Sequence, residues 1–223
     1  RDDFWVELVP GGPSLISEQL LLWCGERNGA RAILVNNAPI TPPNIQVRGV
    51  ITATSEHVIF SGNLVDQPRE LHAWKATISS RELEPLTHGA GLHSIAIGGS
   101  TTVIRSATMH NQRSSTLVNN QHELVNHAET CMLEVNVSFH EIGSRKISAA
   151  IVLPHHHDGS SLPVLFDPYG GPHAQRVVSS SIAYASAQWF ANQGFCVVIA
   201  DGSGTPGRGS QWEREVYHDL ATP

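Results

Sequence analysis

A change of texture near residue 133 constrains this chain more than any other feature. Before it, apolar runs recur between turn residues at 20–24, 32–35, 47–54, 57–62, 71–77, 93–97 and 101–107. Each run is short, rich in β-branched residues and bounded by Gly, Pro, Asn, Asp or Ser, which is the pattern of strands. The polar stretch Gly25 to Gly29 separates the first two runs. Many short, evenly spaced strands fit a sandwich, a barrel or propeller blades. A loose recurrence of strand, turn, strand and Gly/Thr-rich link favours the propeller.

After residue 133 the pattern alternates. Residues 135–139 and 147–153 read as strands. Residues 162–167 are mostly apolar, as expected for a strand buried on both faces. Residues 181–193 carry Ile182, Ala185, Trp189 and Phe190 at helical spacing, with Gly194 positioned to stop the helix. Residues 195–200 predict another buried strand, and 209–220 a helix with Trp212, Val216 and Leu220 on one stripe. Strand, helix, strand, helix signals a parallel α/β sheet. The expected fold is therefore mixed, with a β-rich unit over residues 1–133 and the beginning of an α/β domain over 134–223.

Composition removes several function classes. The net charge of -6 is spread along the chain without a basic run, which excludes the clustered Lys and Arg of a nucleic-acid surface. No apolar stretch approaches the roughly 20 residues of a membrane-spanning helix. Cys24, Cys131 and Cys196 are scattered and odd in number, so reduced thiols and a cytoplasmic setting are expected. The chain opens and closes in mid-pattern and shows no leader sequence. An internal piece of a longer protein is the expectation.

Two loops carry the chemistry. Phe166-Asp167-Pro168-Tyr169-Gly170-Gly171-Pro172-His173 follows a strand and precedes a helix. Two glycines permit a tight turn at a strand's carboxyl end, where open α/β sheets place their sites. Tyr169 there either closes the turn and packs on the next helix, or aims its O–H at a developing oxyanion. The second loop, Asp201 to Gly209, contains Gly202-x-Gly204-x-x-Gly207. This spacing matches a dinucleotide fingerprint, although Pro206 removes an amide donor and Gly209 delays the helix. His155-His156-His157-Asp158 sits in a polar loop, and adjacent side chains diverge too far to share one tetrahedral ion. No metal or cofactor is expected. No Gly-x-Ser-x-Gly occurs anywhere, so the chain has no nucleophile elbow for a histidine to activate.

Taken as a set, residues 61–74, 86–94, 162–177 and 195–222 resemble the prolyl oligopeptidase family, most closely its bacterial dipeptidyl-peptidase-IV-like branch. The resemblance implies a partial β-propeller of about three blades followed by the N-terminal part of an α/β-hydrolase domain. It implies a parent serine peptidase that releases N-terminal X-Pro or X-Ala dipeptides, with Tyr169 as an oxyanion-hole donor and Arg176 bordering the substrate site. Ser203 stands where the family commonly has Arg. The family's catalytic Ser, Asp and His would lie beyond residue 223, which makes this chain inactive alone. Peptide substrates are the implied partners, a homo-oligomer is a permitted state of the parent, and neither nucleic acid nor membrane is implied. Two other readings stay open: a dinucleotide-binding enzyme using Gly202, Gly204 and Gly207, and a non-catalytic propeller that binds partners.

Overall fold

A computed structural model describes residues 8–130 and 133–220. Cys131 and the chain's first and last residues lie outside that range. β1 (Ser14–Ser17), β2 (Leu20–Arg27), β3 (Ala30–Val35) and β4 (Ala38–Pro39) form a first antiparallel sheet. β5 (Ile45–Ala53), β6 (His57–Leu64), β7 (His72–Thr77) and β8 (Leu83–Pro85) form a second. β9 (Leu92–Gly98), β10 (Thr101–Ala107), β11 (Ser115–Val118) and β12 (His122–Glu123) form a third. In each sheet sequence neighbours are spatial neighbours. The expected strands are present, and the short outer ones (β1, β4, β8, β11, β12) are additions that periodicity alone does not reveal.

Turn chemistry fixes the first sheet. Asn28 and Gly29, with φ of 54° and 81°, join β2 to β3; Asn36 and Asn37, at 46° and 68°, join β3 to β4. Two left-handed residues in a row match the right-handed twist of the flanking strands. Gly25, Glu26 and Arg27 accordingly remain in β2, and the break expected over 25–29 shrinks to two residues.

The first two sheets share one apolar core. Leu22, Ile33, Val47, Val58 and Phe60 are fully buried within it. The third sheet is thinner: among its strand residues only His93 and Ile104 are buried. It joins the second through the amide of Leu71 donating to the Gly91 carbonyl at 3.0 Å and that of His93 donating to the Leu71 carbonyl at 2.8 Å.

A fourth sheet contains β13 (Val137–Ile142), β14 (Ile147–Val152), β15 (Val164–Phe166) and β16 (Cys196–Asp201), in the order β13-β14-β16-β15. Only the β15–β16 pair is parallel. Between them a 3-10 turn, Ser181–Tyr184, runs into α1 (Ala185–Ala191). Tyr184, Ala187 and Ala191 pack with Ala150, Val152, Val197 and Ile199 of the sheet. α2 (Ser210–Arg214) follows β16.

Three expectations are corrected here. β15 is short and lies at the sheet's edge, with Val164 and Phe166 exposed, because β16 takes the inner position. The buried stripe of α1 is Tyr184, Ala187, Gln188 and Ala191, while Ile182, Trp189 and Phe190 face outward. Small residues let the helix approach the sheet closely, and Gln188 tolerates burial because its amide accepts from the Asn136 N–H at 2.6 Å and donates to the Leu153 carbonyl at 3.1 Å. The last helix is one short segment, after which looser turn bonds from Tyr217 to Arg214 and from Asp219 to Val216 leave Leu220 exposed.

The C-terminal segment docks on the first two sheets. Gly29 accepts from the Ser210 amide at 3.1 Å, and the Asn63 side-chain amide donates to the Gly207 carbonyl at 2.8 Å. Arg31 pairs with Glu213, and Arg214 pairs with Glu26 at 2.6 Å. Among the described residues no helix is long and apolar enough to cross a membrane.

Candidate functional site

β15 and β16 run parallel, so their carboxyl ends emerge side by side, with Asp167 just after β15 and Asp201 closing β16. Such ends are where sheets of this kind place ligands. The loop after β15 carries Tyr169, a residue 46% exposed. Gly170 supports the turn with φ of 67°. The Tyr169 ring lies across Gly171, where a Cβ would come within 3.3 Å of it. A side chain at Gly171 would press on the phenol, whereas one at Gly170 would meet open space but strain the left-handed backbone.

Downstream, the loop is held by a chain of polar contacts. Asp201 is buried, and its carboxylate accepts the backbone amides of Arg176 and Val177, each at 2.9 Å. Burial pushes this carboxyl up from its ordinary value, while the two amides pull it down. Arg176 forks onto Asp167 at 2.7 and 3.3 Å, which strengthens its hold on its proton. Gln175 donates to the Pro68 carbonyl at 2.6 Å, and the Ser179 amide to that of Arg69 at 2.9 Å. The Tyr184 hydroxyl accepts from the Val178 amide at 2.8 Å and donates to the Val178 carbonyl at 2.9 Å. Burial raises this phenol well above its usual range, so it stays protonated.

The two residues singled out in the sequence thus differ in setting. Tyr169 stands in the loop after β15, about half exposed. Arg176 engages Asp167 through its guanidinium and Asp201 through its backbone, an arrangement that positions the loop. Asp167, Asp201 and Tyr184 were not assigned roles from the sequence. The signal for Asp201 was its place at the end of an apolar strand, where an ionisable group needs partners.

The glycine-rich loop turns inward. Gly204 donates its amide to the Trp212 carbonyl at 3.0 Å, and a Cβ there would lie 2.9 Å from Val216. A Cβ at Gly209 would sit 2.6 Å from the Gly29 carbonyl oxygen. Trp212 Nε1 donates to Gly202 and Thr205 oxygens, each at 3.2 Å, and Arg208 lies 3.8 Å over its ring. The glycines let the protein approach itself, and α2 is too short to present a helix terminus to a pyrophosphate. Ser203 is seated between Arg145, 2.6 Å away, and Glu215, 2.8 Å away. His155 bonds the Glu134 carbonyl at 2.7 Å.

Elsewhere, Ser106 Oγ is 2.8 Å from His93 Nδ1. Nε2 of that ring faces the Gly89 carbonyl at 2.9 Å, so it carries the proton and Nδ1 accepts from the hydroxyl. The pair is a cross-strand contact between β9 and β10. Its far nitrogen is oriented by a backbone carbonyl and not by a carboxylate, and Ser106 lies in mid-strand without an elbow.

The model of the prolyl oligopeptidase family matches residues 181–222. The chain is similar to a solved dipeptidyl peptidase 4 of Porphyromonas gingivalis, with TM-score 0.74 and 18% identity over 91% of this chain. It is also similar to a candidate dipeptidyl aminopeptidase IV of Bacteroides ovatus, with TM-score 0.74 and 17% identity over 94% of this chain. It spans 32% and 35% of those two structures. No curated protein sequence matches it.

Proposed function

We propose that this chain, whose residues 181–222 match the prolyl oligopeptidase family model, is part of such a peptidase and supplies the oxyanion side of its serine peptidase site. Residues 1–133, with their three four-stranded sheets, are read as blades of a partial β-propeller. Residues 134–223 are read as the first part of an α/β-hydrolase domain. A mixed sheet with a β15–α1–β16 crossover supports the second assignment, and sequential antiparallel meanders support the first.

The observation that carries the reading is Tyr169: a half-exposed phenol on a Gly-Gly turn, at the carboxyl end of a parallel strand, with the loop behind it anchored by Asp201. In acyl transfer, a serine hydroxyl attacks the substrate carbonyl and its electron pair moves onto oxygen. The Tyr169 O–H donates to that oxygen as charge develops, with a backbone amide beside the serine as the second donor. Arg176 acts through Asp167 as a positioning residue. The substrate class is a peptide cleaved after an N-terminal X-Pro or X-Ala dipeptide. This chain has no Gly-x-Ser-x-Gly, so the nucleophile belongs to a longer protein and the chain is inactive alone.

In that longer enzyme, Tyr169→Phe should lower kcat on an Ala-Pro anilide by about 10²- to 10³-fold, with KM little changed. A fluorophosphonate probe should label one serine there and none in the 223-residue chain. An unchanged kcat, or a labelled serine within this chain, would end the reading.

A further inference from the structure

The loop that carries Tyr169 is fastened at its far end to a different sheet. The turn between β6 and β7 is closed by the Gln67 amide donating to the Leu64 carbonyl at 2.9 Å and the Glu70 amide donating to that of Gln67 at 3.2 Å. Glu70 Oε2 lies 3.0 Å from His72 Nε2, which braces the turn against β7. Two carbonyls of this turn face the loop. That of Pro68 accepts from the Gln175 side chain at 2.6 Å, and that of Arg69 from the Ser179 amide at 2.9 Å. The Arg69 side chain adds a third contact. Its guanidinium lies 4.6 Å from the centre of the Phe139 ring on β13, within reach of a cation–π attraction. Phe139 meets the Tyr184 ring edge-on, with centroids 5.9 Å apart. The Tyr184 hydroxyl in turn holds both the amide and the carbonyl of Val178. Burial raises the Tyr184 phenol; against it act the Val178 backbone bond and the charges of Arg69 and Arg176, while Asp201 adds to the rise.

We propose that Arg69, on the second sheet, is a positioning residue for the Tyr169 hydroxyl, acting through Phe139, Tyr184 and Val178 on the loop after β15. The inference rests on the reading of Tyr169 as an oxyanion donor. Such a donor works when its supporting residues hold it within about 0.5 Å of the productive place. The Asp167–Arg176 fork and the Asp201 clamp tie the loop to its own sheet. Arg69 ties it to the β-rich part of the molecule. Removing the guanidinium leaves the backbone bond to Ser179 intact, so the loop should keep its path and lose its exact aim.

Amide hydrogen exchange in the 223-residue chain reads the anchor directly. Arg69→Ala should speed exchange at Val178 and Ser179 by about two- to fivefold, the range of one cation–π contact, and Arg69→Lys should recover part of the protection because it keeps a cation. In the longer enzyme, Arg69→Ala should lower kcat on an Ala-Pro anilide by about tenfold with KM little changed, as a small misplacement of a catalytic group does. The double variant with Tyr169→Phe separates positioning from a structural role. If Arg69 works through the phenol, the pair loses no more than Tyr169→Phe alone; a structural role multiplies the two losses. Native exchange or native kcat in Arg69→Ala, Arg69→Lys no better than Arg69→Ala, or multiplied losses in the pair would overturn the proposal and leave the oxyanion reading standing. Native kcat in Tyr169→Phe would end that reading and this proposal with it. If Arg69→Ala fails to give a cooperative melt, Arg69→Gln takes its place in every comparison.

Discussion

The core shared by the first two sheets and the layer formed by the fourth sheet with α1 bury their apolar residues in different ways. In the first, strands pack their side chains against one another from both sheets, and Phe60, Leu22 and Ile33 are sealed. In the second, one face of the sheet is closed by Tyr184 and small helix residues, while Trp189 and Phe190 point away from it and β15 leaves an edge open. The difference teaches that size and hydrophobicity do not by themselves mark a core residue. A tryptophan on α1 is surface, and an alanine beside it is interior.

The sharpest way to break this comparison is to truncate an aromatic on each side. Phe60→Ala should cost about 3–5 kcal/mol, the range for a large buried aromatic, in urea unfolding. Trp189→Ala should stay within about 0.5 kcal/mol. Comparable losses would mean that the α1 outer face is covered in solution.

Next come the polar anchors. Tyr184→Phe removes the hydroxyl that both accepts from and donates to Val178. It should cost about 1–3 kcal/mol, the range for leaving buried groups unsatisfied. Asp201→Ala strands two amides and should cost a similar amount while raising hydrogen exchange at Arg176 and Val177. Unchanged exchange there would remove Asp201 as the anchor.

A smaller effect is expected at the junction of the second and third sheets. His93 is held below its ordinary value of 6.5, chiefly by burial. The folded form therefore favours neutral imidazole, and the unfolded chain takes up its proton first. The stability this contributes is present above pH 6.5 and is lost as pH falls through the lower folded value. His93→Gln should flatten that part of the stability profile. The smallest effect on stability belongs to Trp189→Glu, which should instead reduce concentration-dependent association of the isolated chain, measured by sedimentation. The open β15 edge and the outward aromatics are templates for such association.

Much of this architecture was legible in the residues. Strands β2, β3, β5, β6, β7, β9 and β10 follow from β-branched runs between turn residues. The α1 segment and β16 follow from a switch of period closed by Gly194. The buried face of α1 was not legible, because Trp189 and Phe190 outweigh alanines in any hydrophobic pattern although only small residues fit against β14 and β16. The edge position of β15 was hidden too, since strand order within a sheet is set by tertiary pairing. At the candidate site, the Gly-Gly turn announced Tyr169. The Asp201 clamp joins residues 24 and 25 positions apart in sequence, and no local pattern encodes it. The inward packing of the glycine-rich loop was invisible for the same reason: its partners Gly29, in the β2–β3 turn, and Asn63, on β6, are distant in sequence.

Under the proposed function, the fork between Asp167 and Arg176 has a consequence for Tyr169 as a donor. It closes the intervening residues into a ring with both ends fixed, so the entropy of bringing them together is already surrendered before any ligand arrives. Tyr169 lies within that closed segment, between Asp167 and Arg176. In the proposed acyl transfer, preorganisation of this kind lowers the reorganisation left for the bond-making step.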